Sequence, residues 1–440
     1  MKKFITTIRN IFSIEDLRTR IINTIGFILI FRLGSFVVLP GVDPSKLREG
    51  DISGVLGLLD AFTGGAFNNA SVFALGIMPY ITASIVLQLL TVAVPYFQKM
   101  QKEGESGRKK ISQITRVLTI GVCIAQSFAF IAGMIPAESI VINTSLFTGY
   151  ALVILTAGTI FCMWIGERMT EKGIGNGISM LIMIGIISRF PTALLSEAMA
   201  RQMGGALIFL AEIIALFVVV MAVIMLTQAT RRIPVQYAKQ VVGNKVYGGQ
   251  RQYIPLKVNA AGVMPIIFAQ SLMFLPSMIA QVFSEDSDIA TYIATTFGNY
   301  TSWEYNFVFG VMIIVFTFFY TAITVSPNQI ADDLKRNGGF IPGIKPGAQT
   351  SDFIDLVLTR ITLPGSIFLA IVAILPAIAS SMGMMTEFSY FYGGTSLLII
   401  VGVVLDTLQQ IEGYLLMRHY EGMMKSGKIK GRSQNVAVAS

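Results

Sequence analysis

The sequence predicts an all-α integral membrane protein of ten transmembrane helices, built as two inverted halves of five. Three observations lead there. The chain is 53% hydrophobic and only 13% charged, against roughly 25% charged residues in a soluble protein of ordinary composition. Ten apolar runs reach or approach the roughly 20 residues that cross a hydrocarbon core. The basic residues are sorted by connector: both tails and the even connectors (residues 1–20, 97–116, 166–172, 228–257, 331–360 and 412–440) hold 28 of the 33 Lys and Arg. The odd connectors hold Lys46, Arg48 and Arg201, with Arg189 at an adjoining span end, against eleven acidic residues. Positive charge in short loops stays cytoplasmic, so both termini are expected inside and the number of spans even.

The elements follow in chain order. Met1–Arg20 is polar and basic with no small-residue cleavage site behind it, so the first run, Ile21–Leu39, is expected to act as its own insertion signal. The second run, Ser71–Tyr96, is interrupted by Gly76, Pro79, Ser84 and Gln88, and the third, Val117–Ile135, by Gln126 and Ser127. Thr148–Ile165 and Ile174–Phe190 complete the first half, and a break falls near Pro191–Gly205. The second half runs through Ala206–Leu226, Gly262–Phe283 (with Gln270 and Ser271), Phe307–Val325, Ile361–Ala379 and Thr395–Leu415. Five spans per half is an odd number, so the halves insert with opposite orientation, the arithmetic of an inverted repeat with a pathway at its interface. Polar groups inside spans need partners, which neighbouring helices or a wet cavity would supply.

Three charges stand inside spans. Arg32 costs roughly 2.5–3.5 kcal/mol at mid-span on insertion scales, and a carbonyl or carboxylate partner is expected. Glu212 and Asp406 are candidates for a proton or ion relay, with Glu212 close enough to its helix end to reach the interface. Asp51–Phe62 is a short amphipathic helix too short to cross, read either as lying on the bilayer or as re-entrant, hinged at Gly64-Gly65.

Enzymatic chemistry finds no support. His419 is the only histidine, and Cys123 and Cys162 both fall inside spans as small buried hydrophobes, with neither metal spacing nor a disulfide framework. Gly104–Lys110, GESGRKK, lacks the strand and the Gly-Lys-Ser/Thr ending of a phosphate loop and reads as a solvated basic loop. No cofactor or metal is expected. Two non-enzymatic classes are open at this point. A ten-span secondary transporter would need coupling residues among Arg32, Asp406 and Glu212, and a purely structural scaffold or insertase partner would need no pore.

Ser71–Leu90, SVFALGIMPYITASIVLQLL, and Trp164–Ile182, WIGERMTEKGIGNGISMLI, resemble the two signature stretches of the SecY family of protein-conducting channels. FRLGSF (Phe31–Phe36), KEGESGRKKISQ (Lys102–Gln113), RRIPVQYAK (Arg231–Lys239), IPLKVN (Ile254–Asn259), IPGIKPG (Ile341–Gly347) and FYGGTSLLI (Phe391–Ile399) match in the same order. The resemblance implies a cytoplasmic segment 1–20, an N-terminal half 21–200 with a plug helix at 51–65, a C-terminal half 201–415 with cytoplasmic loops 228–260 and 331–360, and a tail 416–440. The halves would surround a central hourglass pore closed by Ile77, Ile81, Ile178, Ile182, Ile267 and Ile399; such an aliphatic ring would dewet a narrow waist. It implies further that Leu56, Leu58, Leu59 and Phe62 belong to the plug, and that Gln88 and Gln126 face Gln270 across a lateral gate. Arg231, Arg232, Lys239, Lys245, Arg251 and Lys345 would serve a motor and ribosome surface. Residues 228–257 carry six basic and no acidic residues, which would equally attract anionic lipid head groups. Lys345 replaces the arginine of the family's IPGIRPG motif, keeping charge but losing the bidentate fork. Implied partners are the SecE and SecG membrane subunits, the SecA motor ATPase, the ribosome, unfolded preproteins and membrane lipids, in the cytoplasmic membrane.

Overall fold

The computed structural model describes residues 12–43, 46–47, 60, 62–201, 205–237, 240–242, 245–247, 251–270, 272–273, 292 and 296–425. Contacts group the chain into two compact units, Met1–Glu49 with Thr63–Gly185 and Val403–Ser440, and Gly50–Phe62 with Ile186–Gly402. Among the described residues, seven helices are long and apolar enough to cross a membrane, and a bent helix pair makes an eighth candidate. Of the other two expected spans, the first is helical over Glu15–Gly34 (α1), and the seventh is described as helix over residues 264–270 and 272–273.

In unit one, α1 leads into an extended connector that bridges Val38 to Ser71 and Val42 to Ile140. The second expected span does not start at Ser71. Residues 71–77 form turns, and helix α2 runs Met78–Ala93 with proline in its first turn, the position where the missing N–H is harmless. Pro95 then opens a short helix α3, Pro95–Lys102, and the axes bend by 100°. Helices α4, Glu105–Met134, and α5, Thr144–Lys172, are longer than the expected spans, because Arg108–Lys110 and Arg116 continue α4 as a basic extension. The Arg116 guanidinium forks onto Glu167 at 3.0 and 2.9 Å, tying α4 to α5. Phe147, Ala151, Leu155, Thr159 and Cys162 are buried along α5, a stripe at helical spacing that forms the core face. Asn143 caps the helix by accepting from Ser145 N at 3.1 Å.

Helix α6, Gly177–Ala200, passes from unit one into unit two and contains Pro191. Unit two continues with α7, Ala206–Gln228, whose apolar window is only 11% buried within the chain. The connector that follows contains strands, which its polar composition did not announce. β1 (Thr230–Tyr237) pairs antiparallel with β4 (Arg251–Lys257), in register from Thr230↔Lys257 to Gln236↔Arg251, and with β5 (Gly339–Phe340). β2 (Gln240–Val242) and β3 (Lys245–Tyr247) form a separate two-stranded ladder. Helices α8 (Trp303–Thr324), α9 (Pro327–Arg336) and α10 (Ala348–Ser381) follow, then the short α11 (Thr386–Ser389) and α12 (Gly394–Lys425).

Three connectors of unit two meet in a buried ion cluster. Arg201 donates to Glu197 at 2.8 Å, to Glu212 at 2.6 Å and to Gly383 O at 2.9 Å. Glu197 in turn accepts from Met385 N at 2.7 Å, and Tyr392 Oη donates to Glu212 O. Glu212 is therefore ion-paired through one carboxylate oxygen within this cluster. Removing one member of a buried, hydrogen-bonded charge group costs about 3–5 kcal/mol. Arg201→Met is expected to lower the unfolding midpoint of the purified chain well below that of Arg201→Lys, read by thermal unfolding in detergent. A midpoint of Arg201→Met equal to that of the unsubstituted chain would show that the cluster carries no stability.

Candidate functional site

The second signature stretch forms an elbow between α5 and α6. Its glycines let the backbone pass closely: Gly175 has φ +79°, and a Cβ at Gly177 would strike the carbonyl of Gly166. Such a turn exposes N–H and C=O groups, and side chains from both ends of unit one meet them. Thr24 Oγ1 accepts from Ile174 N at 3.1 Å, and Gln410 Oε1 accepts from Gly175 N at 2.9 Å. Thr170 Oγ1 accepts from Gly177 N at 2.8 Å and Asn176 Oδ1 from Ile178 N at 3.1 Å. From α1, Arg20 donates to Gly173 O at 3.2 Å and Asn23 to Lys172 O at 3.2 Å. The elbow fixes where α6 starts, and hence the height of Ile178 and Ile182 one turn apart.

The expected ring positions occupy helix starts. Ile77 is the N-cap residue of α2 and Ile81 stands four residues on, both buried, so they share one face. Ile178 and Ile182 repeat this spacing at the start of α6 and are half-buried. In unit two, Ile267 is half-buried in the helical segment 264–270, and Ile399 is buried in the second turn of α12.

Of the plug positions, Leu56, Leu58 and Leu59 lie outside the described residues, while Phe62 is buried. Asp60 is buried and ion-paired with Arg189, a contact that sequence reading missed. Its signal was present: two opposite charges, each alone in apolar surroundings. Among the gate candidates, Gln88 and Gln126 are half-buried, and Gln270 is buried. Arg32 donates to Gly64 O at 3.2 Å and sits over the Phe36 ring at 5.3 Å, as its expected need for a carbonyl requires. Asp406 is exposed and accepts from Gln410 at 3.3 Å.

The basic loops form one body. Ile233, Val235, Leu256, Leu334, Ile341, Ile354 and Leu358 pack in a common buried cluster, so the sheet, α9 and the first three turns of α10 support each other. Arg231 and Arg232 are exposed on β1, and Lys345 is exposed in the turn before α10. Lys245 stands on β3 and Arg251 on β4, while Lys239 lies outside the described residues. No metal-holding group of His, Cys, Asp and Glu occurs among the described residues, and Cys123 and Cys162 are buried free thiols.

Solved structures place this arrangement in a class. A protein-conducting channel superposes with TM-score 0.64 at 17% identity over 90% of this chain and 91% of its own. A SecY structure described for its plug domain gives 0.63 at 18%, covering 90% and 91%, and Sec61 from a canine ribosome–channel complex gives 0.61 at 16% with the same coverage. The fold is that of the SecY and Sec61 channels.

The SecY family profile matches residues 71–408. Similar curated proteins named protein translocase subunit SecY come from Halalkalibacterium halodurans (45% identical, 95% of this chain and 99% of that one) and Streptomyces coelicolor (42%, 96% and 100%). One from Mycobacterium tuberculosis is 40% identical over 97% and 100%. The chain belongs to the SecY family; it is a multi-pass membrane channel subunit for protein translocation and not an enzyme.

The elbow's hydrogen bonds make a direct prediction. An orphaned buried N–H costs about 1–3 kcal/mol, so Thr24→Val and Gln410→Leu should each make the segment around Gly175 more protease-sensitive. Limited proteolysis with unchanged cleavage at the elbow would count against this clamp.

Proposed function

We propose that this chain forms the pore through which unfolded preproteins cross the cytoplasmic membrane and from which apolar segments leave sideways into lipid, with both termini inside. The observation that carries the reading is the placement of aliphatic ring residues at firmly positioned helix starts, four apart on α2 and on α6. Ile77, Ile81, Ile178, Ile182, Ile267 and Ile399 offer no hydrogen-bonding side-chain groups, so a narrow waist of them expels water and ions. Side chains that merely pack against one another can separate around a polypeptide of any sequence. Asp51–Phe62 acts as the plug in this reading. The Asp60–Arg189 pair supports it by tethering the end of that segment to α6.

Gln88, Gln126 and Gln270 border the lateral exit. Sorting there is thermodynamic: charged side chains disfavour lipid by about 2.5–3.5 kcal/mol each while Leu or Ile favours it. The basic body of β1, β4 and the turn at Lys345 is the docking face, with Arg231, Arg232, Lys239, Lys245, Arg251 and Lys345 toward the SecA motor ATPase or the ribosome. Support comes from its exposed cations on a buried, rigid cluster. SecE and SecG are the membrane subunits this reading requires. No nucleotide-binding motif is visible in the sequence, so the driving force comes from the partner's ATP hydrolysis, translation or the proton-motive force.

Ile81→Gly combined with Ile267→Gly should raise the resting ion conductance of reconstituted membranes several-fold, measured in planar bilayers; unchanged conductance would remove the ring. Reversing Arg231 and Arg232 to Glu should weaken ribosome binding about tenfold or more at low salt, and the difference should shrink as salt rises, because contacts to a polyanion release counterions. Equal binding at low salt would move the docking face elsewhere.

A further inference from the structure

Asp406 lies midway along the apolar stretch Gly394–Leu416 of α12, and it is exposed. Charges set among apolar helices elsewhere in the chain find an ionic or carbonyl partner: Arg32 on Gly64 O, Arg189 on Asp60, and Glu212 on Arg201. Asp406 forms no ion pair among the described residues. Its carboxylate accepts from Gln410 Nε2 at 3.3 Å. A charge turned to hydrocarbon at that depth is disfavoured, so an exposed carboxylate there marks a water-filled space.

The helix around it has two faces. Ile399, Gly402, Asp406, Gln409, Gln410 and Gly413 recur at spacings of three and four and share one side, while Val404, Leu408, Ile411 and Leu415 share the other. Val404 and Leu408 are exposed, as a lipid-facing side would be. The polar side carries the expected ring position Ile399 seven residues before Asp406, about 10 Å along the axis at 1.5 Å per residue. In unit one the same stretch packs against the glycine elbow. Gln410 Oε1 accepts from Gly175 N at 2.9 Å, and Thr407 Oγ1 would stand 3.0 Å from a Cβ on Gly175. Gly175 lies three positions before Ile178, so Asp406 is held close to the start of α6.

We propose that Asp406 contacts the passing polypeptide, its carboxylate taking up Lys and Arg side chains of an unfolded preprotein beside the isoleucine ring, a role that rests on the pore reading of this chain. A Lys or Arg that nears a waist of isoleucine loses hydration, and nothing on the ring replaces it. A carboxylate two helical turns away, itself without a cation, offers a partner at that point. The pair forms where water still reaches, so it is weak and the bound side chain leaves again. Neutral segments gain nothing from it. Asp406 thereby discriminates among passing segments by charge, which the ring cannot do.

Asp406→Asn keeps an oxygen that accepts from Gln410 and removes the charge, and Asp406→Lys reverses it. The full-length chain, reconstituted with its partner subunits, is given a preprotein with a Lys- and Arg-rich stretch in its mature region. Its translocation rate should fall about two- to fivefold in Asp406→Asn, the weight of a partly solvated ion pair, and further in Asp406→Lys. The same preprotein with Gln at those positions should cross at an unchanged rate in Asp406→Asn. Equal losses for both preproteins, or no loss for either, would overturn the proposal. A second measurement reads the charge without a substrate. In the conducting Ile81→Gly, Ile267→Gly background, the reversal potential across a KCl gradient should shift toward anion selectivity in Asp406→Asn and further in Asp406→Lys. A fixed reversal potential would show that the carboxylate does not face the water path and would overturn the contact. If Asp406→Ala opens the elbow to protease while both charge readouts stay flat, Asp406 only supports Gln410, and the proposal falls. If the isoleucine variants do not conduct, the ring reading fails and the preprotein comparison still decides for Asp406, so the two can fail separately.

Discussion

Polar groups placed among apolar helices need partners from within the chain, and much of the described structure follows from that demand. Water is the default partner for a stray N–H, carbonyl or charge, and a lipid-exposed segment has none. The glycine elbow is gripped by Thr24, Arg20 and Gln410 from helices near the two ends of the sequence. Arg32 reaches the carbonyl of Gly64, and Arg201 gathers two carboxylates and a carbonyl. These contacts hold helix starts in place, and helix starts carry the isoleucines on which the channel reading depends.

The same demand explains the apparent exceptions to the charge rule. Arg189 and Arg201 belong to the few basic residues outside the tails and the even connectors. Both are ion-paired, with Asp60 and with Glu197 and Glu212. What looks like noise in a count of Lys and Arg therefore marks two structural joints.

Much of this was legible in the sequence, and the limits were physical. Long apolar runs such as Ala206–Leu226 and Phe307–Val325 announce themselves, and the helices observed there match them within a few residues. Boundaries failed where the chain leaves the apolar layer: α4 and α10 continue as helix through polar residues that hydropathy cannot separate from a loop. The start of α2 was misplaced because Ser71–Ile77 is apolar enough for a span, while Gly76 and Pro79 impose turns. The strands at 230–257 were hidden by their charges, since the inward-facing Ile233, Val235 and Leu256 alternate with exposed polar and charged residues. Motif resemblance supplied the candidate ring and gate residues, but the partners of Gly175 and Asp60 lie 235 and 129 residues away, beyond any local pattern.

Helix α10 has 34 residues, about 51 Å of rod at 1.5 Å per residue. Its first turns are cemented to the basic sheet by Ile354 and Leu358, and its far end runs into the Gly383 and Met385 contacts of the Arg201 cluster. A single strut thus joins the basic sheet to the Arg201 cluster. Pro364 and Pro376 interrupt its hydrogen-bond ladder, so the strut has two joints where a backbone bond is missing and bending costs least along its length.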